Sequence, residues 1–470
     1  MKNRALHITL AATLLLSSCG RYVPDRAEGV FPDYRDVTIP VNIAPLQYHY
    51  TAGGLMGAKT VFECEELRVT KRGRFVEWEL EEWRSFVREC AGKSISVSAT
   101  LRHWKGGKEK ISFSIQVSPD SVDSYLTYRL IEPGYEVWHE VELRERCLEN
   151  WDERCIATYA NTSNACMNCH IHSGTRGDLS MFYLRGKGGG AILNSGGSLR
   201  KLRLRDSLMV SSTVYGEIHP EGRYGVFSSN IIHPLFHTRP GARLEVYDSR
   251  SDLVVADLDK DSILHSPIVE RADRLETFPC WSADGRSIIF CKADTASYRE
   301  VENIRYDLCR IGFDSSTGSF GPVVETIWDA SLNEGSACHP KASPDGRWLV
   351  FTKADYGTFP IWHRECDLWI LDLASGEARA LEGANSPYSD SYHSWSSNGR
   401  WLLFASKRED GQYGRPYLCH IDDEGNASKA FVLPQKESDF YLRFFKSFNI
   451  PDLGSAPVPF GYEDIPNLLH

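Results

Sequence analysis

Hydrophobic and polar positions alternate with period two over much of the chain, and long amphipathic helical runs are scarce. "KTVFECEELRV" (59–69), "SISVSATLRHW" (94–104) and "KISFSIQV" (110–117) alternate as half-buried strands do, with the turn sequences "KRGR" and "WKGGKEK" between them. One helical stretch, "EEWRSFVREC", interrupts them. Residues 34–150 therefore read as a small β-sandwich-like domain. Its neighbouring carboxylates, such as Glu79, Glu81 and Glu82, read as solvated surface. From residue 198 the pattern becomes repetitive. "IHPEGRYGVFSSN", "CWSADGRSIIFCKAD", "ASPDGRWLVFTKAD" and "SWSSNGRWLLFASKRED" each give a turn, Gly-Arg, then an apolar strand. The turn glycines are Gly222, Gly285, Gly346 and Gly399, spaced 63, 61 and 53 residues apart. An Asp-Gly or Asn-Gly turn supplies the positive φ that joins two strands. A unit this small does not bury its own apolar face, so copies must stack on one another.

The repeats resemble those of TolB-like and prolyl-oligopeptidase-type propellers over roughly residues 210–440. That resemblance implies a mainly β fold with a TolB-like β-propeller of about five to seven blades over 198–450, followed by a C-terminal tail, 451–470. No G-x-S-x-G elbow accompanies it, so the hydrolase half of a prolyl oligopeptidase is not expected.

Residues 151–197 break the pattern. They contain "ACMNCHIHSG" (165–174) and the Gly-rich "RGKGGGAILNSGG", and read as a loop-rich segment built around something other than its own apolar residues. The Cys-x-x-Cys-His arrangement of Cys166, Cys169 and His170 is the spacing of c-type haem attachment. Two thiols add to the haem vinyl groups, and the adjacent imidazole ligates iron. Three rival readings stay open. A zinc site wants a second ligand pair, and His172 alone does not supply it. A thioredoxin-like dithiol wants a βαβ setting. A structural disulfide does not call for His170. Met181 is the candidate sixth ligand, giving one covalent haem c with His170 and Met181 on the iron. His172 is poorly placed to reach the opposite face, and His233 or His237 is an alternative from the propeller. His219, His339 and His393 are read as packed or rim residues.

The N-terminus "MKNRALHITLAATLLLSSCG" has a basic start, an apolar core too short to span a bilayer, and a lipobox-like ending at Cys19. Residues 1–19 read as a lipoprotein signal with Cys19 lipidated, and 20–33 as a tether. The expected location is the bacterial cell envelope, periplasmic side, lipid-anchored, with the outer membrane favoured. Thirteen cysteines suit an oxidising compartment. Cys147 with Cys155 and Cys280 with Cys291 are candidate disulfides, with buried thiols the alternative. The net charge of −10 argues against a nucleic-acid partner.

Across nearly the whole mature chain the sequence resembles lipoproteins of Bacteroides-type bacteria that join a TolB-like propeller to one Cys-x-x-Cys-His segment. The residues that carry this are "IPVNIAPL", "YRLIEPGYEVW", "ACMNCH", "MFYLRGKGGG", "SPDGRWLVFTKADYGTFPIWH", "SYHSWSSNGRWLLFASKREDG" and "RPYLCHIDDEGNASKAFVLPQ". It implies a c-type haem and a propeller. The expected function is a membrane-anchored monohaem c-type cytochrome that transfers electrons and docks a redox partner or periplasmic protein through the propeller. The alternatives are a TolB-like scaffold with structural haem, and a peroxidase-type haem enzyme.

Overall fold

The computed structural model describes residues 29–132, 140–185, 189–236 and 244–468, with Cys169 described by its backbone only. Cys19, the signal segment and His237 lie outside the described residues. Val30–Phe31 already forms a buried strand, so the expected tether gives way to folded chain before residue 33.

The N-terminal domain is a five-stranded sheet in the order Val37–Pro40, Lys108–Ser118, Ser94–His103, Leu55–Cys64, Leu67–Arg72. The helix Leu80–Glu89 and a three-stranded sheet share its core. The helix buries Trp83, Phe86 and Val87, and Trp78 stacks on Phe86 at 5.3 Å. The helix and the strands read at 94–104 and 110–117 are present, whereas the run 59–69 is a hairpin, turning at Glu65 (φ 52°) from Leu55–Cys64 into Leu67–Arg72.

The rest is a six-bladed β-propeller. Five described blades, two to six, follow the chain from Cys166–Ser173 to Phe431–Val432, the third and fourth joined into one eight-stranded sheet by a single parallel bridge, Ser251 to Leu275. The first blade is split. Tyr125–Ile131, Glu142–Cys147 and Glu153–Thr158 supply three strands, and Ser447–Gly454 returns as the fourth and innermost. This strand closes the ring by lying between the inner strands of blades six and two. Two expectations change. Tyr125–Ile131 and Glu142–Cys147 belong to the propeller, not to the N-terminal sandwich. The segment read as loop-rich is blade two, with strands Cys166–Ser173, Arg176–Arg185, Gly190–Ser195 and Ser198–Leu202. The second of these is buried along nearly its whole length, which removes the alternation that marks a half-exposed strand. Gly196 and Gly197, with φ of 59° and 88°, turn a hairpin.

Each repeat glycine sits where an inner strand turns into the second strand, and each faces the blade before it. A Cβ on Gly285 would stand 2.3 Å from His219 Nε2, and φ there is 70°. Gly376 has φ 77° but open space around it. Gly376→Ala should therefore cost about 1–2 kcal/mol from backbone strain. Gly285→Ala should cost about 1–3 kcal/mol more from overpacking. Urea midpoints of the two variants check this ordering.

The expected disulfides are not formed. Cys147, Cys155, Cys280 and Cys291 are unbonded thiols. Cys155 opposes Arg144, Cys280 opposes Ile289 and Cys291 opposes Thr277, so neither pair meets across its ladder. Among the described residues no helix is long and apolar enough to cross a membrane.

Candidate functional site

The inner strands of the six blades run the same way around a central axis. Each ladder shifts register at one level: between Asn168 and Ile171, Thr213 and Gly216, Thr277 and Cys280, Cys338 and Lys341, Ser391 and Ser394, and Asn449 and Asp452. In four of them a non-glycine residue takes positive φ at the bulge: Phe278 (48°), His339 (51°), Tyr392 (52°) and Ile450 (50°). Such residues cost of order 1–3 kcal/mol each and persist where the surroundings fix them. Bulges re-aim side chains, and here they deliver His170, Tyr215, Phe278, His339, His393 and Ile450 to one small chamber of about 70 Å3.

The Cys-x-x-Cys-His motif is thus the inner strand of blade two. Cys166 opens the strand and is half-buried; His170 stands at the bulge and lines the chamber. His170 is 3% exposed, and neither ring nitrogen makes a side-chain hydrogen bond among the described residues; only the backbone of Thr127 and Ile450 approaches the ring. Burial, reinforced by His172 and Arg129, holds its pKa far below the ordinary imidazole value, so the ring is neutral. His393 donates from Nε2 to the Val350 carbonyl at 2.9 Å, and its Nδ1 is bare. Burial, then Lys341, lowers its pKa to about 3. His339 is likewise held neutral by burial, and its Nε2 is buried and unpartnered. Sequence reading placed His339 and His393 as packed or rim residues; the fold brings both to the chamber of His170. Among the described residues no group of three or more His, Cys, Asp or Glu is arranged to hold a metal ion.

Met181 is elsewhere. It pairs with Ile171 from the second strand of blade two and is buried with Leu193, Ile218 and Phe227 between blades two and three. The structure does not place it on the lining of the chamber of His170: it stands opposite Ile171 on the second strand, within the apolar cluster between the blades. Met181→Leu should cost less than about 1.5 kcal/mol, as volume-conserving core swaps do; a thermal melt checks this. His233 is on the surface, stacked on Tyr247 at 5.2 Å, and His219 packs beneath Gly285.

Beyond the chamber the channel widens into a mouth of about 330 Å3 that includes His172, Glu217, Lys341, Asp452, Trp281 and Trp395. Lys341 Nζ pairs with Glu217 at 2.9 Å, and Glu217 also accepts the Trp281 N–H at 2.7 Å. His172 Nδ1 lies 3.3 Å from the Leu453 carbonyl and 4.0 Å from Asp452. Burial chiefly raises the Asp452 pKa.

At the opposite end the channel is closed by aromatic rings. Tyr215 stacks on Phe278 at 4.1 Å, and Phe359 lies 6.0 Å from both. Phe359 is held by Leu244 and Val246 of the long blade-three hairpin. His363 ties this hairpin down, reaching Glu245 at 3.3 Å and Glu365 at 3.0 Å. Burial opposes the charge on His363, but the two carboxylates raise its pKa to about 9. A raised folded pKa stabilises below the unfolded value of about 6.5 and the contribution is lost as pH climbs through 9. Thermal stability should therefore fall from pH 6.5 to 9 by an amount on the order of 3 kcal/mol, and His363→Gln should flatten that part of the profile.

No known family description matches the chain, and no curated protein matches it. Among solved structures it is similar to TolB from Acinetobacter baumannii, at 12% identity over 80% of this chain and 85% of that one, with a TM-score of 0.45. It is also similar to an oligogalacturonate lyase in complex with manganese, at 13% identity over 64% and 70%, TM-score 0.35. A third likeness is to hydrazine synthase of Kuenenia stuttgartiensis, at 12% identity over 73% of this chain and 47% of that one, TM-score 0.46. The six-bladed assignment itself rests on the strand pairing of this chain, which makes the molecule a β-propeller with an N-terminal β-domain.

Proposed function

We propose that this chain is a monohaem c-type electron-transfer protein of the bacterial cell envelope, anchored through a lipid on Cys19, whose propeller docks a redox partner. The observation that carries the reading is His170. It ends a Cys-x-x-Cys-His motif, and it is a buried neutral imidazole with neither ring nitrogen held by a side chain. That donor set fits haem c: Cys166 and Cys169 would hold the macrocycle through thioethers and His170 would ligate iron. Bound there, the group supplies a one-electron couple. The chamber of about 70 Å3 takes an imidazole edge and a water or two, not a macrocycle, whose pocket is of the several-hundred-Å3 class. Thioether attachment would sit at the Cys166 end of the strand, and ligation of iron by His170 would require its ring to turn out of this chamber. The chain's own part is to fix His170 at the bulge and to wall off one end of its chamber with Tyr215, Phe278 and Phe359.

Burial of His170 inside a closed ring also favours a second reading, a scaffold in which the haem staples blade two. An optical redox titration separates them. A reversible low-spin couple supports electron transfer, whereas a haem silent across the accessible range of potentials favours the scaffold. A high-spin haem that binds cyanide would point to the peroxidase-type alternative.

A further inference from the structure

The channel mouth carries an inference that does not depend on haem. It lies at the end of the motif strand opposite Cys166, where Ser173 turns into the next strand. Its volume, about 330 Å3, falls within the range of small-molecule sites. The walls are largely apolar, with Ile171, Ile218, Trp281 and Trp395 among them. The charges are unevenly matched. Lys341 is balanced by Glu217 at 2.9 Å, and Arg176 at the rim by Asp178 at 3.1 Å. Among the described residues Asp452 has no lysine or arginine within ion-pair distance: Lys341, paired with Glu217, acts on it only from farther off, and His172 lies 4.0 Å away. With Arg176 turned to Asp178 outside the mouth, the inner wall carries two carboxylates, Glu217 and Asp452, against the one ammonium of Lys341, inside an aromatic and aliphatic enclosure. It adjoins the inner chamber through Ile171, Lys341 and Asp452, where the bare nitrogens of His170 and His393 add acceptor capacity and no positive charge.

We propose that the propeller mouth is a binding site for a small organic monocation, a protonated amine with an apolar body, whose ammonium donates to Asp452 while its body lies among Trp281, Trp395 and Ile218. A cation completes the charge balance of the site, and indole rings favour cations over anions. An anion would meet an unmatched carboxylate in a partly desolvated cavity.

Isothermal titration calorimetry on the full-length protein tests this with three probes of similar size: benzylamine, benzyl alcohol and phenylacetate. Benzylamine should bind at least about tenfold more tightly than either of the others, as a charge-assisted hydrogen bond predicts. Asp452→Asn should erase that preference. The inference is overturned if phenylacetate or benzyl alcohol binds as well as benzylamine, if benzylamine gives no binding at millimolar concentration, or if Asp452→Asn keeps the preference. Should the variant not fold, the three-probe comparison on the unaltered protein decides alone.

Discussion

Deletion of residues 447–470 should abolish cooperative folding of the propeller. The strand Ser447–Gly454 is the inner strand of blade one, and the other three strands of that blade come from residues 125–158, some 300 residues earlier. Removing it strips the ladder from Tyr125–Ile131 and leaves the inner strands of blades six and two without the neighbour between them. It also removes Phe448 and Leu453, both buried. Phe448 packs on Tyr128 at 4.8 Å and Phe444 at 5.6 Å. Phe448→Ala alone should cost about 3–5 kcal/mol, the usual figure for a large buried aromatic. That is already a large share of the roughly 5–15 kcal/mol by which domains are stable. Circular dichroism melts check both variants. The point variant should melt cooperatively at a lower temperature, and the deletion should give no cooperative transition. A deletion that melts within a few degrees of the full chain would mean the ring does not need this closure.

The parts of this fold that announce themselves in sequence are those whose chemistry is local. A Gly-Arg turn before an apolar run needs positive φ and a buried strand, and both needs are met within ten residues. Blades three to six carry that signature; blades one and two do not. Blade one is hidden because its strands are far apart in the chain and no local pattern records their pairing. Blade two is hidden because its glycines, which turn a hairpin at Gly196 and Gly197, read as loop, and because Arg176–Arg185 is buried on both faces.

The candidate site was legible in its donors and illegible in its setting. Cys166, Cys169 and His170 stand out by spacing alone. Their place on an inner propeller strand left no mark of its own, since Ile171 follows His170, although the inner strands of blades four, five and one do carry one. Phe278-Pro279, His339-Pro340 and Ile450-Pro451 repeat a large residue followed by proline at equivalent places. Proline has no N–H for a ladder and so marks a bulge or an edge. "NIPDLG" near the C-terminus carries this same mark, which identifies it as an inner strand that closes the ring. Met181 was a scarce residue at a plausible distance, but distance along the chain says nothing about which face of a strand a side chain takes.

The second large effect concerns the motif. Cys166→Ala with Cys169→Ala should remove all covalently held haem, because each thioether needs its sulfur and no other cysteine pair in the sequence is followed at once by histidine. The fold should survive. Cys166 is half-buried at the start of its strand, away from the apolar interface that holds Ile171 and Met181. The melting temperature of the double variant should stay close to that of haem-free protein with both cysteines. The most direct test is a pyridine haemochrome spectrum of protein produced with its export signal alongside haem-maturation machinery, with the double variant beside it. The unaltered protein should show a c-type band that survives acid-acetone extraction, and the variant should show none. No extraction-resistant haem in the unaltered protein would contradict it, leaving a propeller that binds its ligands without a redox group.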